Sequence, residues 1–294
     1  LNGASGTGFA GLNWSLGGIP LAIGSNVSTV TGTNGTSGIA TTALDNAGSG
    51  VYGDGWATND VGGTGFGGWT LFAESSDPNL NGRFIANAAA VNIGVPAWGL
   101  YANSLTNLSE AKRLLTSALA TGQTFHVAFD NGFIDNGTGV GVGLQNSSGE
   151  TLWQFYFNGG DTNYNLSGIS GGSGIPFTDA GMDIAFTLTG PTNFSVQISP
   201  NGSAVKTFTG NLEPNANSAI TLFRAWNYAA GSGSDHDVFF NRMMITGPGG
   251  SSSSTSDTVV IERASGLADT DGDGIPDGWE QAHFGNTTGA VASA

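Results

Sequence analysis

From Trp69 to Thr246 the chain is a succession of short apolar runs separated by turn residues, and this restricts it to folds built from many strands. "WTLFAE" sets Trp69, Leu71 and Ala73 on one face, "TFHVAFD" sets Phe125, Val127 and Phe129, and "GVGVGLQ" sets Val140, Val142 and Leu144. Such period-two alternation marks a half-buried strand. "TLWQFYF" is apolar at nearly every position, as for a strand covered on both faces. "MDIAFTL", "NFSVQI", "AITLFRAW" and "DVFFNRMMI" continue the series. Between the runs stand Asn131-Gly132, Asn136-Gly137, Ser148-Gly149, Asn158-Gly159-Gly160 and Asn201-Gly202, combinations that favour tight turns. About a dozen strands at near-regular spacing predict an all-β, two-sheet jelly-roll sandwich. One segment departs from the pattern. "LSEAKRLLTSALATG", 108–122, reads as a helix capped at Ser109 and ended by Gly122, with a strand as the alternative.

The predicted organisation is a Gly/Thr/Asn-rich N-terminal extension (1–60), the sandwich (61–246), a Gly/Ser linker (247–257) and a C-terminal module (258–294). In the extension, Ile19, Leu21 and Ile23 alternate around Pro20, which suits an edge strand. "GTGFAGLNWSL" (6–16) echoes "GTGFGGWTLF" (63–72), so residues 6–23 are candidates for a strand that mimics or replaces one in the sandwich.

Composition narrows the function. The 294 residues include 50 glycines without a G-X-Y period, which excludes collagen. Only 10% of residues are charged, and the formal net charge is −15. That charge repels phosphate backbones and anionic membranes, so nucleic-acid partners are not expected and divalent cations are. The absence of cysteine removes disulfides, thiolate metal sites and cysteine catalysis. No apolar run approaches the ~20 residues of a membrane helix, so membrane insertion is not expected. Scarce lysine and abundant Thr, Asn and Gly read as extracellular. No signal-peptide pattern opens at Leu1, as expected of a mature secreted or a cytosolic chain.

The densest cluster of charge is "DTDGDGIPDGWE", residues 269–280, which matches D-x-[DN]-x-[DN]-G-x5-E in full. Calcium needs six to eight oxygens at about 2.3–2.6 Å. Asp269, Asp271 and Asp273 supply carboxylates from alternate positions, Ile275 its backbone carbonyl, Asp277 a direct or water-bridged oxygen, and Glu280 both carboxylate oxygens. Gly274 allows the sharp turn. No conventional entering helix precedes the loop, so an EF-hand-like rather than a complete EF-hand site is predicted, with calcium as the cofactor.

Two resemblances follow. The acidic loop resembles the thrombospondin-type-3 and EF-hand-like repeats at the ends of secreted bacterial surface proteins. The stretches "GFGGWTLFA", "WGLYANS", "GQTFHVAFDNGFI", "GVGVGLQNSSGETLWQFYFNGGDTNY" and "SDHDVFFNRMMI" resemble the concanavalin A-like lectin/glucanase superfamily. The resemblances imply a secreted, bacterial, extracellular or cell-surface protein.

Three functions compete. Glucanases of that superfamily carry an E-x-D-x-E-type strand, and none occurs here. Asp130 and Asp135 flank a turn and read as ordinary turn aspartates. His126, His236 and His283 are too scattered in sequence for a zinc cluster. A glycoside hydrolase is therefore the third reading and the chain is expected not to be an enzyme. A carbohydrate-binding module is second: Trp56, Trp98, Trp153, Trp226 and Tyr228 are available aromatics, and "NGGDTNY" offers Asp161, Asn163 and Tyr164 as a loop site. "SDHD" (234–237) is a candidate second calcium site. The first reading is a calcium-stabilised structural subunit of a fibre or surface assembly. Residues 1–40 would pair with the next protomer and form a homopolymer. Sequons at Asn13, Asn26, Asn34, Asn107, Asn136, Asn146, Asn165, Asn193, Asn201 and Asn286 are candidate glycosylation sites.

Overall fold

Inward-facing aromatic side chains from two antiparallel sheets meet and make the core. The computed structural model describes residues 24–32, 39–88, 91–103, 106–214, 219–248, 255–263, 268–270 and 276–285. Residues 39–249 form one compact unit, and residues 1–38 with 250–294 form another. Strands are numbered in chain order.

In the first unit, a six-stranded sheet runs β10 (Asn165–Leu166), β9 (Thr151–Asn158), β8 (Gly139–Gln145), β14 (Leu222–Tyr228), β6 (Leu108–Leu115), β3 (Phe66–Ala73). The facing sheet runs β13 (Lys206–Asn211), β12 (Asn193–Pro200), β11 (Met182–Leu188), β7 (Thr124–Asn131), β15 (Val238–Pro248), β5 (Ala97–Ala102), β4 (Asn81–Ala86), and β2 (Ile39–Asp45) also pairs with β15. The two-sheet sandwich expected from the sequence is present. Rings meet across the sheets: Trp153 and Phe186 lie 4.9 Å apart, Trp69 and Trp98 5.2 Å, and Phe125 stacks on Phe223 at 5.4 Å. Rings at such spacing add about 0.5–1.5 kcal/mol per pair beyond their burial.

Residues 108–115 are strand β6, not the start of a helix. β6 pairs with β3 on one side and β14 on the other. Its inward residues Ser109, Ala111, Arg113 and Leu115 are buried, so period two fits the segment. Helix propensity was overridden by this sheet context. Ser109 does not cap a helix; its hydroxyl donates to the Tyr101 carbonyl at 2.7 Å.

The sandwich begins at Ile39 rather than residue 61. β2 joins the second sheet, and Tyr52 and Trp56, just beyond it, enter the core. Asp45 at the end of β2 bonds Arg113 on β6 at 2.9 Å. Tyr52 donates to Asp45 at 2.5 Å, and Trp69 Nε1 donates to the Tyr52 hydroxyl at 3.0 Å. Gly63 makes this approach possible. Its φ is +65°, and a Cβ there would lie 1.8 Å from the Leu44 carbonyl oxygen.

In the second unit β1 (Gly24–Gly32) pairs antiparallel with β16 (Thr255–Arg263), and α1 spans Asp277–Phe284. The segment read as a linker therefore ends within a strand. Residues 1–23, with the alternation at Ile19–Ile23 and the 6–16 echo, lie outside the described residues. Of residues 1–40, which the polymer reading donates to a neighbour, β1 has its partner in the same chain, and Ile39 and Ala40 belong to β2.

Candidate functional site

Burial of one face of each strand leaves the other outside, and the register of the six-stranded sheet fixes which outward side chains adjoin. One row crosses all six strands: Phe72 (β3), Glu110 (β6), Trp226 (β14), Gly141 (β8), Tyr156 (β9) and Asn165 (β10). The row to one side is Thr70, Lys112, Arg224, Gly143 and Gln154. On the other side it is Leu108, Tyr228, Gly139 and Asn158. Rows are about 7 Å apart along a strand, and strands about 4.8 Å apart, so these groups share one continuous surface.

Three alternate glycines of β8 lower the middle of that surface. At Gly141 a Cβ would lie 2.7 Å from the Trp226 ring and 2.6 Å from Tyr156 Cβ, so a larger residue would displace both aromatics. Trp226 is held from the other side, where the Arg224 guanidinium sits 4.5 Å from its ring centroid. Arg224 Nε donates to Glu110 at 2.5 Å, and Lys112 Nζ bonds the other carboxylate oxygen at 2.7 Å. The charged line Lys112–Glu110–Arg224 thus ends on an aromatic ring. Trp226 is only 9% exposed, whereas Phe72 is 45% and Tyr228 41% exposed. At the Tyr228 end a cavity of about 520 Å³ is lined by Leu108, Thr138, Asn158, Arg224, Trp226 and Tyr228, among others.

The sequence placed Glu110 and Lys112 on a helix, with a strand as the alternative, and did not single out Phe72, Tyr156 or Arg224. It predicted both faces of β9 to be covered, yet Leu152, Trp153, Phe155 and Phe157 are the core residues of the strand while Gln154 and Tyr156 are half-buried. The signal available was "GVGVG", because alternate glycines in a strand mark a face where other groups approach the backbone.

The other candidates divide. Tyr164 is not a sugar platform: it is 1% exposed, stacks on Phe155 at 4.9 Å and donates to Asn131 Oδ1 at 2.9 Å. Asp161 and Asn163 are exposed, and Asp161 accepts from Asn165 Nδ2 at 2.7 Å, which brings Asp161 to the end of the first row. Trp56, Trp98 and Trp153 are core residues. Asp130 and Asp135 do not form a pair. Asp130 accepts from the Asn92 N–H at 2.8 Å, whereas Asp135 lies 3.5 Å from His236 Nε2. In "SDHD" His236 also contacts Asp235 at 3.1 Å. Among the described residues no group of three or more His, Asp or Glu side chains is placed to hold a metal ion. Of the sequons, Asn136, Asn193 and Asn201 are exposed and Asn165 is half-buried. Asn107 and Asn146 are buried, and Asn146 donates to Glu150 at 2.6 Å, so neither can carry a glycan in the folded state. Asn13, Asn34, Asn286 and the side chain of Asn26 lie outside the described residues.

Of the acidic loop, Asp271, Asp273 and Ile275 lie outside the described residues, and Asp269 is exposed. Asp277 is the first residue of α1, where it accepts from the Thr270 N–H at 2.7 Å and the Thr270 hydroxyl at 2.6 Å. Glu280 is 0% exposed although the rest of α1 is largely open to solvent.

Two buried carboxylates give the sandwich a pH signature. Burial pushes Asp130 up to about 6, helped by the Asp179 charge, and Asp130 Oδ1 has no hydrogen-bond partner among the described residues. Burial and the Asp235 charge push Asp237 up to about 7. Both folded values exceed the usual carboxylate value, so the folded state binds more protons than the unfolded one between pH ~4 and ~7. Stability from these groups is full below pH ~4 and falls as pH rises to ~7, by about 1.4 kcal/mol per pKa unit. Asp130→Asn and Asp237→Asn are expected to flatten that slope in urea unfolding measured from pH 4 to 8. An unchanged slope in both variants contradicts the assignment.

No protein-family model matches the chain, and no curated protein matches it in sequence. Solved structures similar to it include a sialidase (8% identity, TM-score 0.41), and the match covers 64% of this chain and 17% of that one. Domain 4 of an extracellular GH43 arabinanase from Geobacillus stearothermophilus, in complex with arabinotriose, matches at 15% identity and TM-score 0.38, covering 71% and 93%. Lectin I-B4 of Griffonia simplicifolia in its metal-free form matches at 10% identity and TM-score 0.33, covering 64% and 99%.

Proposed function

We propose that the sandwich is a non-catalytic carbohydrate-binding module and that the outer face of its six-stranded sheet holds the glycan. The row Phe72–Glu110–Trp226–Gly141–Tyr156–Asn165 carries this reading. A sugar ring has a C–H face that packs on aromatic rings and a rim of hydroxyls that needs donors and acceptors. The trough supplies Phe72, Tyr228 and Tyr156 for the first requirement, and Glu110, Lys112, Arg224, Gln154 and Asn158 for the second. A few fixed polar groups among apolar walls is the usual composition of a ligand site.

Binding is favoured over hydrolysis by the charges. Most glycosidases place two carboxyl groups across the scissile bond, about 5–9.5 Å apart. Among the strand residues of this face Glu110 is the one carboxylate, and Lys112 and Arg224 hold it at both oxygens. Affinity electrophoresis against a panel of neutral and acidic polysaccharides tests the reading. Retardation by at least one, without release of reducing ends, is expected; no retardation by any overturns it.

The acidic tail is read as an extracellular calcium module. Support comes from the sequence match and from the burial of the Glu280 carboxylate on an otherwise open helix. Asp269, Asp271, Asp273, Asp277, Glu280 and the Ile275 carbonyl would hold the cation. The ion would supply structure rather than chemistry, since a segment this small gains most of its folding energy from its metal. Adding calcium to EDTA-treated protein is expected to change the fluorescence of Trp279 on α1, and Glu280→Gln is expected to abolish the change. A wild-type signal indifferent to EDTA contradicts the module.

A further inference from the structure

A second groove lies along the free edge of β4 and extends to Ala73 on β3. Its volume is about 1020 Å³, and it shares no lining residue with the smaller cavity. Its walls include Ser75, Ser76, Asn87, Phe84, Tyr101 and Arg83. No Asp or Glu is among the described residues that line it, in a chain with 22 acidic residues. Among the described lining residues Arg83 is the one cation.

Among the basic side chains described, Arg83 and Lys206, which bonds the Gly174 carbonyl oxygen at 3.2 Å, bridge no carboxylate. Lys112, Arg113, Arg224 and Arg242 each bridge a carboxylate. Arg83 bridges none among the described residues; its Nε donates to the Trp56 carbonyl oxygen at 3.1 Å. That bond tethers the guanidinium at the wall of the groove and leaves the two terminal nitrogens for a ligand. Those nitrogens form the fork that matches carboxylate and sulfate oxygens in a bidentate fashion.

The rest of the groove suits a sugar carrying such a group. Phe84 and Tyr101 lie with ring centroids 6.1 Å apart, and each packs across a glycine of the partner strand. A Cβ at Gly82 would lie 2.5 Å from the Tyr101 hydroxyl, and one at Gly99 2.7 Å from the Phe84 ring. The two rings therefore lie low against the strand pair. Ser75, Ser76 and Asn87 add neutral hydrogen-bonding groups on the same rim.

We infer that the β4-edge groove is an anion-selective sugar site in which Arg83 binds the carboxylate or sulfate ester of an acidic glycan. A chain of net charge −15 repels such polymers elsewhere on its surface, so the site would confer selectivity that the glycan face lacks.

The test is calorimetric titration of the intact chain with four probes: an oligogalacturonate, a sulfated galactan oligosaccharide, the neutral galactan of the same length, and inorganic sulfate. Binding by the carboxylated or the sulfated sugar, weakened by added salt and lowered tenfold or more in Arg83→Met, is expected; which of the two binds identifies the acid group. Arg83→Lys, which keeps the charge and loses the fork, is expected to fall between. Tyr228→Ala on the other face is expected to leave this binding intact. Equal binding of the neutral sugar, or full binding by Arg83→Met, overturns the inference. So does binding of inorganic sulfate as tight as that of the sugar, which marks an adventitious ion only. Loss in Tyr228→Ala with retention in Arg83→Met assigns acidic sugars to the glycan face, leaving the face reading standing and this one refuted. A poly-glutamate peptide that outcompetes the sugars would make the edge a strand-docking site instead, which also refutes it.

Discussion

Arg113→Ala is expected to destabilise the sandwich by about 3–5 kcal/mol, much of the stability of an ordinary domain. Arg113 is 0% exposed, yet it stands on the inner face of β6 among apolar neighbours. It is tolerated there because both terminal nitrogens are bonded, although Nε has no hydrogen-bond partner among the described residues. One terminal nitrogen donates to Asp45 and to the Gly62 carbonyl, both at 2.9 Å; the other reaches the Asp60 carbonyl at 2.9 Å and the Tyr52 hydroxyl at 3.3 Å. The plane lies 4.8 Å from the Trp69 ring centroid and 5.9 Å from that of Phe66. Removing it strands the Asp45 carboxylate in the core. Burial already pushes Asp45 above the usual carboxylate range, and Tyr52 and Arg113 are what pull it back. The same burial, with the Asp45 hydrogen bond, pushes the Tyr52 hydroxyl up to about 12, so it stays a donor. The double variant Arg113→Met/Asp45→Leu is expected to recover part of the loss, because it removes both charges together. Urea unfolding checks both. A loss below about 1 kcal/mol for Arg113→Ala would mean that β2 and the Tyr52 segment are not anchored as described.

Strands that carry their own period-two signal were legible: β7, β8, β11 and β12 read as the sequence suggests, because each sets large apolar residues at alternate positions. β6 was ambiguous because Glu110, Lys112 and Arg113 favour a helix on propensity, and only pairing with β3 and β14 decides the matter. β2 was invisible for the opposite reason. "IATTALD" holds small residues, and its worth lies in Asp45, whose partner Arg113 is 68 residues away. The site was hidden by the same non-locality. Phe72, Glu110, Trp226 and Tyr156 share a row only once five strands, β3, β6, β14, β8 and β9, are in register. Within β8 the alternate glycines did announce that face. The proposed ligands of the acidic loop fall within twelve residues, as a local cation cage requires, but Asp271, Asp273 and Ile275 among them lie outside the described residues.

Tyr228→Ala is expected to weaken saccharide binding tenfold or more while leaving the fold intact. The ring is exposed at the cavity mouth, so its loss opens no hole in the core. An aromatic anchor at the centre of a binding surface typically contributes more than 1 kcal/mol when truncated, and 1.4 kcal/mol is tenfold in affinity. Phe72→Ala, at the far end of the first row, is expected to act in the same direction with a smaller effect on short ligands. Glu110→Gln releases Lys112 and Arg224 and tests the polar line separately. The most direct measurement is the titration of wild type and Tyr228→Ala with the polysaccharide that retards the protein most strongly, with circular dichroism confirming both folds. A tenfold or greater loss in the variant is the predicted result; equal affinity in two equally folded proteins would contradict the glycan face.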